Sequence, residues 1–276
     1  MNAKSMEELR KMADEMRYMA VEMAYAAGNK GAHLGGSLSS IEIFAVLYGA
    51  VLNVDAKNPL NEERDRMIVG KEHGRLSEYS ALYKKGFMEK DTLLKFMEDG
   101  NVLAGHPVNK ELGLEYSSCS LGMALPVAVG IALNGKRKKM PYRVFTLMGD
   151  GELDEGSMWE AFMCASHYKL DNLIAIVDRN HLSSDGFTEE VMGLGNLKSK
   201  IESFGWDCKE VEDGHNVEQL LKAFTWEPSG KPYAIIANTV KGKGIFYAEN
   251  NPGWHHNVMT EELYRQALKD LEVQKL

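Results

Sequence analysis

The sequence has few cysteines, and its acidic residues outnumber its basic residues, whereas nucleic-acid-binding proteins usually carry a positive surface. Its three cysteines, Cys119, Cys164 and Cys208, are odd in number and far apart, so they form neither a disulfide framework nor a CxxC site. The 276 residues include 32 Lys and Arg against 40 Asp and Glu, a formal net charge of −8. Because binding a polyanion by counterion release needs a positive surface, this composition argues against a nucleic-acid partner.

Long apolar runs are also missing. Residues 1–17 carry charges throughout and contain no apolar core, which excludes a secretory signal. Residues 116–135 form an uncharged stretch that approaches membrane-span length, but serines, glycines, a proline and an asparagine interrupt it. This stretch predicts a buried core helix, so no membrane partner is expected. We expect a cytoplasmic protein, and the unpaired cysteines fit that reducing compartment.

What is present indicates an ordinary globular chain, with 44% hydrophobic and 26% charged residues. Apolar residues recur at helical spacing from Met6 to Met23, with charges between them, and predict an amphipathic helix whose methionines are core. Glycines within 28–36 then interrupt the pattern, and Ser37 is predicted to start a second helix through residues 41–52. The chain therefore opens with two helices joined by a glycine-rich loop.

Apolar runs of strand length alternate with helical patterns over the rest of the chain, at 67–70, 143–148, 172–178, 206–211 and 232–240. Such strands separated by helices predict an α/β fold with three α/β/α layers and a mainly parallel sheet, whose ligands lie beyond the carboxyl ends of the strands. No repeat or linker divides the chain, so residues 1–276 are interpreted as one domain. The segment 241–258, before a final helix from about Thr260, has the length of a functional loop.

Two successive apolar runs lead directly into polar residues, the first into Gly149-Asp150-Gly151 and the second into Asn180. A carboxylate and a carboxamide oxygen at one sheet edge suit a hard divalent cation such as Mg²⁺. Gly151 has no Cβ, which lets a phosphate approach its N–H. The Gly-Asp-Gly sequence alone is equally consistent with a tight turn. Asn180 follows Asp150 by 30 residues, with one helix and one strand between them, and this pairing is much more specific.

Residues 149–180 resemble the thiamine-diphosphate motif, which begins with Gly-Asp-Gly and ends in Asn, and their wording is closest to that of transketolases. Other segments agree in order with that family: AHLGGSLSSIEIFAVLY from Ala32, KEHG from Lys71, AGHP from Ala104, SLGMALPVAVGIAL from Ser120, and VKGKG from Val240 with a later WH. The resemblance covers residues from about 10 to 270. It implies the thiamine-diphosphate-binding fold, with thiamine diphosphate and Mg²⁺ as cofactors.

Full-length transketolases continue into a pyrimidine-binding domain and a C-terminal domain, and neither is recognised in this sequence. The resemblance therefore implies the N-terminal, diphosphate-binding subunit of a split transketolase. The partner that it implies is a separate C-terminal subunit, with two copies of each chain assembled. The implied substrates are sugars or sugar phosphates.

The resemblance also assigns residues to the site. It implies that Asp150, Asn180 and the backbone carbonyl of Leu182 hold the metal. It implies a cofactor surface that consists of His73, Cys119, Leu121, Gly149, Gly151, Glu152, Asn180 and His255. The catalytic histidines that it implies are His33, His73, His106 and His255, of which His33 and His106 contact sugar hydroxyls. Imidazole suits these roles because it can donate, accept and move protons near neutral pH.

Several residues depart from the family pattern. The departures are Leu34 for Pro, Cys119 for Gly, Met123 and Ala124 for Gln and Gly, KEHG with a following Arg75 for KGHA, and His256 for Gly. None removes a metal ligand, but together they put the usual sugar-phosphate substrate in question. Glu155 matches a glutamate at the family's subunit interface, and Asp178 is expected to brace the metal-binding turn. Lys241 and Lys243 are interpreted as solvated loop lysines.

Three functions are compatible with these residues. The first is two-carbon ketol transfer from a ketose to an aldose, by a subunit that is active only with its C-terminal partner. The second is an E1 or 1-deoxyxylulose-phosphate-synthase-like subunit, which a requirement for a 2-oxoacid with release of CO₂ would reveal. The third, a non-catalytic binding subunit, is disfavoured by the intact Asp150, Asn180 and motif histidines. No Walker A, GxSxG or HExxH pattern supports nucleotide hydrolysis, serine hydrolysis or zinc proteolysis.

Overall fold

The computed structural model describes residues 4–103, 106–116 and 120–274. Its central sheet has five strands: β1 (Arg66–Val69), β2 (Val144–Gly149), β3 (Leu173–Arg179), β4 (Asp207–Val211) and β5 (Tyr233–Asn238). The strands lie in the order β1-β2-β3-β5-β4, and all four pairings between them are parallel. All five predicted strands are confirmed. Continuous apolar runs are typical of strands that are buried on both faces, as β3 is, whereas the edge strand β4 exposes Lys209 and Glu210.

Helices cover both faces of this sheet. Within the described ranges they are α1 (Met6–Ala26), α2 (Leu34–Leu38), α3 (Ile41–Val46), α4 (Leu76–Lys85), α5 (Lys90–Leu94), α6 (Ala124–Arg137), α7 (Gly156–His167), α8 (Thr188–Val191), α9 (Leu197–Ser203), α10 (Val217–Phe224) and α11 (Glu261–Gln274). A π-helical turn at Leu47–Val51 extends α3.

The sheet separates two hydrophobic cores. In β3, Ile174 and Ile176 face a core that is formed with α1, α3, α4 and α10. The alternate residues Ala175 and Val177 face a second core that is formed with α6, α7 and α9. Because successive side chains of a strand point to opposite faces, one buried strand supplies both cores. The predicted α/β fold with three α/β/α layers is confirmed.

Helix α1 forms where the sequence predicts it. The Ser5 hydroxyl accepts a hydrogen bond from the Glu8 N–H (3.3 Å), and the Glu8 carboxylate accepts one from the Ser5 N–H (2.8 Å). This reciprocal capping box satisfies backbone donors that the first turn of a helix leaves free. Met12, Met16 and Met23 are buried in the first core, as their spacing predicts.

The predicted second helix is split in two. Helix α2 already contains Ser37, and α3 begins only at Ile41, so the prediction that Ser37 starts the helix is wrong. The Ser37 hydroxyl instead donates to the His33 carbonyl oxygen one turn earlier (2.8 Å). Ser39, in the break between the helices, donates its hydroxyl to the Asp178 carboxylate (2.6 Å). Serine side chains that find such partners compete with continuous helical hydrogen bonding.

The uncharged stretch 116–135 is helical only in its second part. Helix α6 begins at Ala124, and Gly122 before it has a φ of +85°, which a helix cannot accommodate. Residues 117–119 lie outside the described residues. The predicted core helix therefore starts later than expected and continues to Arg137.

Three further expectations can be compared with the structure. The last helix, α11, begins one residue after the predicted Thr260. Cys164 and Cys208 are both free. In the ranges that the structure describes, no helix combines the length and the apolar character needed to cross a membrane.

The chain after β5 folds back over the carboxyl edge of the sheet. Ala32 and Asn257 exchange backbone hydrogen bonds of 3.0 and 3.2 Å, and the Gly242 N–H donates to the Gly35 carbonyl oxygen (2.9 Å). Gly242 has a φ of +79°, a conformation that favours glycine. These contacts place the late loop beside the glycine-rich loop that precedes α2.

Candidate active site

A cleft of about 1050 Å³, partly open to solvent, lies beyond the carboxyl ends of the central strands. It brings together most of the site residues that the sequence predicts, namely His33, His73, Leu121, Gly149, Asp150, Gly151, Glu152, Asn180, Leu182 and His255. His106 lines a neighbouring cavity of about 530 Å³, which shares His33 and His73 with the cleft. Cys119 lies outside the described residues.

The Asp150 carboxylate is buried and fixed by backbone donors. It accepts hydrogen bonds from the N–H groups of Gly151 (3.0 Å) and His181 (2.7 Å). His181 can reach back from the neighbouring strand because its φ is +61°, an uncommon left-handed conformation for a residue with a side chain. Burial, and then the negative charge of Asp178, raise the pKa of Asp150, while the His181 hydrogen bond lowers it. Asp150 is thus held rigidly at the edge of the sheet.

The three residues predicted to hold the metal, Asp150, Asn180 and Leu182, all line this cleft. The Asn180 carboxamide oxygen accepts a hydrogen bond from the Leu182 N–H (3.1 Å), and the Leu182 carbonyl oxygen accepts one from Lys241 (2.7 Å). Such hard oxygen donors suit Mg²⁺. Among the described residues no group of three or more His, Cys, Asp and Glu could hold a metal. A cation at this edge therefore depends on the mixed carboxylate, amide and carbonyl set.

The expected phosphate donor, the Gly151 N–H, already donates to Asp150. A Cβ added at Gly151 would contact only the Ser183 side chain, at 3.6 Å, so the glycine leaves space rather than avoiding a clash. Two lysines, Lys71 and Lys241, line the same cleft. The cationic groups for an anionic ligand are therefore side chains that the sequence reasoning did not assign to the site.

Asp178 braces the site from below, as the sequence suggests. It is fully buried, ion-paired with Lys71, and accepts hydrogen bonds from the hydroxyls of Ser39 (2.6 Å) and Thr239. Lys71 also donates to the Ser39 hydroxyl (2.8 Å). Burial opposes the charge of Asp178, but the Lys71 ammonium and these hydrogen bonds lower its pKa overall. The cluster ties α2 to the ends of β1, β3 and β5.

Lys241 is buried, so the prediction of a solvated loop lysine is wrong for this residue. Its side-chain amine donates to the carbonyl oxygens of Leu182 (2.7 Å) and Ser183 (3.0 Å) and lies 2.9 Å from Nδ1 of His255. Burial, and then the positive charge of Lys71, lower the pKa of Lys241 to about 8. The sequence held a usable signal, because Lys241 comes three residues after the end of β5 and therefore lies at the same sheet edge as Asp150.

His33, His73 and His255 form a triangle at the mouth of the cleft. Their ring centroids lie 5.6 Å (His33–His73), 5.4 Å (His33–His255) and 5.0 Å (His73–His255) apart. Burial and then His256 lower the pKa of His33 to about 4, while burial and then Lys71 lower that of His73 to about 2. Burial and then Lys241 lower the pKa of His255 to about 4. The three rings are therefore neutral near pH 7 and can each donate and accept a hydrogen bond.

The two glutamates after Asp150 differ in environment. Glu152 is buried and accepts a hydrogen bond from the Gly122 N–H (3.0 Å), and burial raises its pKa to about 7. Glu155 precedes α7 and is exposed. The interface role that the sequence resemblance implies for Glu155 is compatible with this exposure.

The fold and the cleft define a class of protein, α/β proteins with a polar cleft at the carboxyl edge of a parallel sheet. Residues 9–274 match the family model described as "Transketolase, thiamine diphosphate binding domain", and the chain belongs to this family. It is a thiamine-diphosphate-binding subunit of the transketolase type, and hence a transferase.

Similar proteins include separate subunits and full-length enzymes. The chain is 39% identical over 244 residues to an apulose-4-phosphate transketolase subunit of Phocaeicola vulgatus, covering 88% of this chain and 86% of that protein. It is 38% identical to the 6-deoxy-6-sulfo-D-fructose transketolase subunit SqwG of a Clostridium species, with 87% and 88% of the two chains covered. Human transketolase is 36% identical over 97% of this chain, which spans 42% of that enzyme.

A solved structure confirms the fold. The crystal structure of transketolase from Campylobacter jejuni superposes with a TM-score of 0.89 at 28% sequence identity. The match covers 99% of this chain and 43% of the crystallised chain.

Proposed function

We propose that this chain binds the diphosphate end of thiamine diphosphate and Mg²⁺ in a two-subunit, cytoplasmic transketolase. The enzyme would transfer a two-carbon ketol unit from a ketose or ketose phosphate to an aldose. The observation that supports this proposal is that Asp150, Asn180 and Leu182 line one cleft together with His33, His73 and His255. Similar proteins that this chain matches over most of their length are named as transketolase subunits, which supports a separate partner.

The residues of the cleft have distinct proposed tasks. Asp150, Asn180 and the Leu182 carbonyl would hold the cation, and Lys71 and Lys241 would face the phosphate groups. The remaining cofactor contacts proposed are Cys119, Leu121, Gly149, Gly151 and Glu152. When bound, thiamine diphosphate supplies the electron sink for breaking the carbon–carbon bond next to the ketose carbonyl.

The histidines would form hydrogen bonds with the reacting groups and with the hydroxyl groups of the sugar. His73 and His255 are neutral near pH 7 because of burial and the neighbouring lysines, so each ring can donate one hydrogen bond and accept another. His33 shares both the cleft and the adjoining cavity, and His106 lines only the latter. We assign His33 and His106 to the sugar hydroxyls.

The metal assignment is tested by titrating thiamine diphosphate into the assembled enzyme by calorimetry, with Mg²⁺ and with EDTA. We expect Asp150→Ala to abolish Mg²⁺-dependent binding, because a methyl group cannot replace a hard oxygen ligand. Asp171→Ala is the matched control, since it removes the same charge at the amino end of β3, where Asp171 pairs with Lys136 (2.7 Å). Wild-type affinity in Asp150→Ala would refute the assignment.

The partner requirement is tested by exchange of the C2 hydrogen of thiamine diphosphate, followed by NMR. We propose that residues 1–276 form one diphosphate-binding domain, and that the carboxylate activating the pyrimidine ring comes from a C-terminal subunit, with two copies of each chain assembled. The chain alone should then show neither enhanced exchange nor ketol transfer, and both should appear with the partner that co-purifies. Fast exchange by the chain alone would refute the split, and a requirement for a 2-oxoacid with CO₂ release would favour the E1-like or synthase-like alternative.

A further inference from the structure

Two residues that depart from the transketolase motif are partners in the structure. Glu72 and Arg75 interrupt the KGHA pattern, and both are buried, with 5% and 4% of their surface exposed. The Arg75 guanidinium lies 2.8 Å from Oε1 of Glu72. The two departures therefore form one buried ion pair rather than two separate changes.

The second oxygen of the same carboxylate reaches a predicted site residue. Oε2 of Glu72 lies 3.2 Å from Nδ1 of His106, whose side chain is about half exposed on the wall of the adjoining cavity. Arg75 holds the His106 segment as well, because it donates to the backbone carbonyl oxygens of Tyr116 (2.6 Å) and Pro107 (3.5 Å). Arg75 thus fixes both the carboxylate and the segment that it contacts.

Arg75 stays charged in these buried surroundings. Burial opposes its charge, but Glu78, Tyr79 and Glu72 raise its pKa. Glu78 lies 3.6 Å from Nε of the guanidinium, whereas Glu72 is contacted by a terminal nitrogen. A permanently charged guanidinium keeps its ion pair with Oε1 of Glu72.

The chemistry of the Glu72–His106 contact decides which nitrogen of the His106 imidazole carries the hydrogen. A carboxylate oxygen accepts hydrogen bonds, so the 3.2 Å approach of Oε2 to Nδ1 favours a hydrogen on Nδ1 of the imidazole. In a neutral ring, a proton on Nδ1 leaves Nε2 as the acceptor. The ring shares its cavity with His33, His73 and His256.

We propose that Glu72, held by Arg75, is a positioning residue that fixes His106 as the Nδ1–H tautomer, so that Nε2 accepts a hydrogen bond from a substrate hydroxyl. The inference deepens the proposed function, because it rests on the sugar-binding role given to His106. A ring in this tautomer favours a substrate that presents a hydroxyl donor to Nε2 of His106 and disfavours one that presents a carbonyl or carboxylate oxygen there.

The tautomer is measured by long-range ¹H–¹⁵N NMR of the full chain with ring-labelled histidine, at about pH 8.5, where imidazole is ordinarily neutral. Signals of His106 are assigned by their loss in His106→Gln. In the wild type we expect the chemical shift of a protonated nitrogen at Nδ1 and of a bare nitrogen at Nε2. A wild-type ring protonated at Nε2 would overturn the proposal without any variant of Glu72.

Glu72→Gln gives the sharper test. A carboxylate offers one oxygen to Arg75 and another to His106, whereas an amide has a single acceptor oxygen, which the charged guanidinium should retain. The amide NH₂ then faces Nδ1, and the tautomer should switch to Nε2–H. Glu111→Gln, an exposed glutamate on the same segment, is the control and should leave the His106 signals unchanged. An unchanged tautomer in a folded Glu72→Gln would contradict the proposal.

This measurement needs neither cofactor nor partner. An absence of Mg²⁺-dependent cofactor binding in the calorimetric titration would remove the proposed function while leaving the tautomer result valid. Conversely, a wrong tautomer would overturn only the positioning role of Glu72.

Discussion

The buried pair Lys71–Asp178 allows a quantitative prediction about stability. Lys71 is 2% exposed and Asp178 is fully buried, so both charges are largely shielded from water. Among the residues that the structure describes, Lys71→Met leaves the carboxylate with the Ser39 and Thr239 hydroxyls as side-chain donors. Removing one partner of a buried ion pair costs about 3–5 kcal/mol, because the other charge stays desolvated. We expect the free energy of unfolding to fall by that amount.

The assay is urea unfolding followed by circular dichroism, at pH 7, for both single variants and the double variant. Asp178→Asn should also destabilise, whereas Lys71→Met with Asp178→Asn replaces both charges and should lose less than the sum, with a coupling energy of about 2 kcal/mol. Lys198→Met is the control, since Lys198 pairs with Glu202 at 3.8 Å on the surface and should change stability by less than about 0.5 kcal/mol.

Two results would refute this reasoning. A loss below about 1 kcal/mol in Lys71→Met would mean that water or another donor reaches the carboxylate. Strict additivity in the double variant would mean that the two charges do not interact.

Two further predictions concern backbone strain and pH. Gly242→Ala should lower the free energy of unfolding by more than about 1 kcal/mol, because φ is +79° and the new Cβ would overlap the Ala248 carbonyl oxygen. Gly130→Ala, at an open position of α6, should raise it by up to about 1 kcal/mol in the same urea assay. The pKa of His73 is about 2 in the folded chain, against an ordinary value of 6.5, so between these values only the unfolded chain binds a proton at His73. The contribution of His73 to the free energy of unfolding is therefore fully present above pH 6.5 and is lost as the pH falls. From pH 6.5 to 5, wild type should therefore lose roughly 1.5 kcal/mol more than His73→Asn, and equal losses would show that His73 is not buried in neutral form.

The sheet could be predicted from sequence because its signal is local. Apart from the edge strand β4, each strand is a short apolar run between helical patterns, and in β3 every residue is buried. The rule that parallel strands end at one edge then placed Asp150 and Asn180 together, although Asn180 comes from a different strand. The helix at Ser37 was mispredicted because a serine before an apolar run looks the same whether it caps a helix or lies inside one. Only its tertiary partners distinguish these cases.

The side chains that complete the cleft depend on contacts between distant segments. Lys241 has the composition of a loop lysine, and nothing nearby in sequence reveals that it donates to Leu182 and Ser183. Glu72 and Arg75 are visible as departures from a motif, but the contact of Glu72 with His106 requires the packing of the intervening chain. A sequence motif identifies the residues that belong to it, whereas the groups that orient those residues come from distant segments and are identified only in the folded structure.

The charges in the cleft explain why a cation and a diphosphate are expected to bind together. Lys71 is already paired with Asp178, and Lys241 donates to two carbonyl oxygens within the field of Asp150. The charge of Lys71 is therefore balanced before any anion enters, which leaves Lys241 as the one lysine of the pair without a carboxylate partner among the described residues. A diphosphate adds negative charge beside Asp150, in surroundings where unpaired charge is costly. A divalent cation on the oxygen donors of the cleft supplies the missing positive charge, so withholding magnesium should weaken cofactor binding as strongly as Asp150→Ala does.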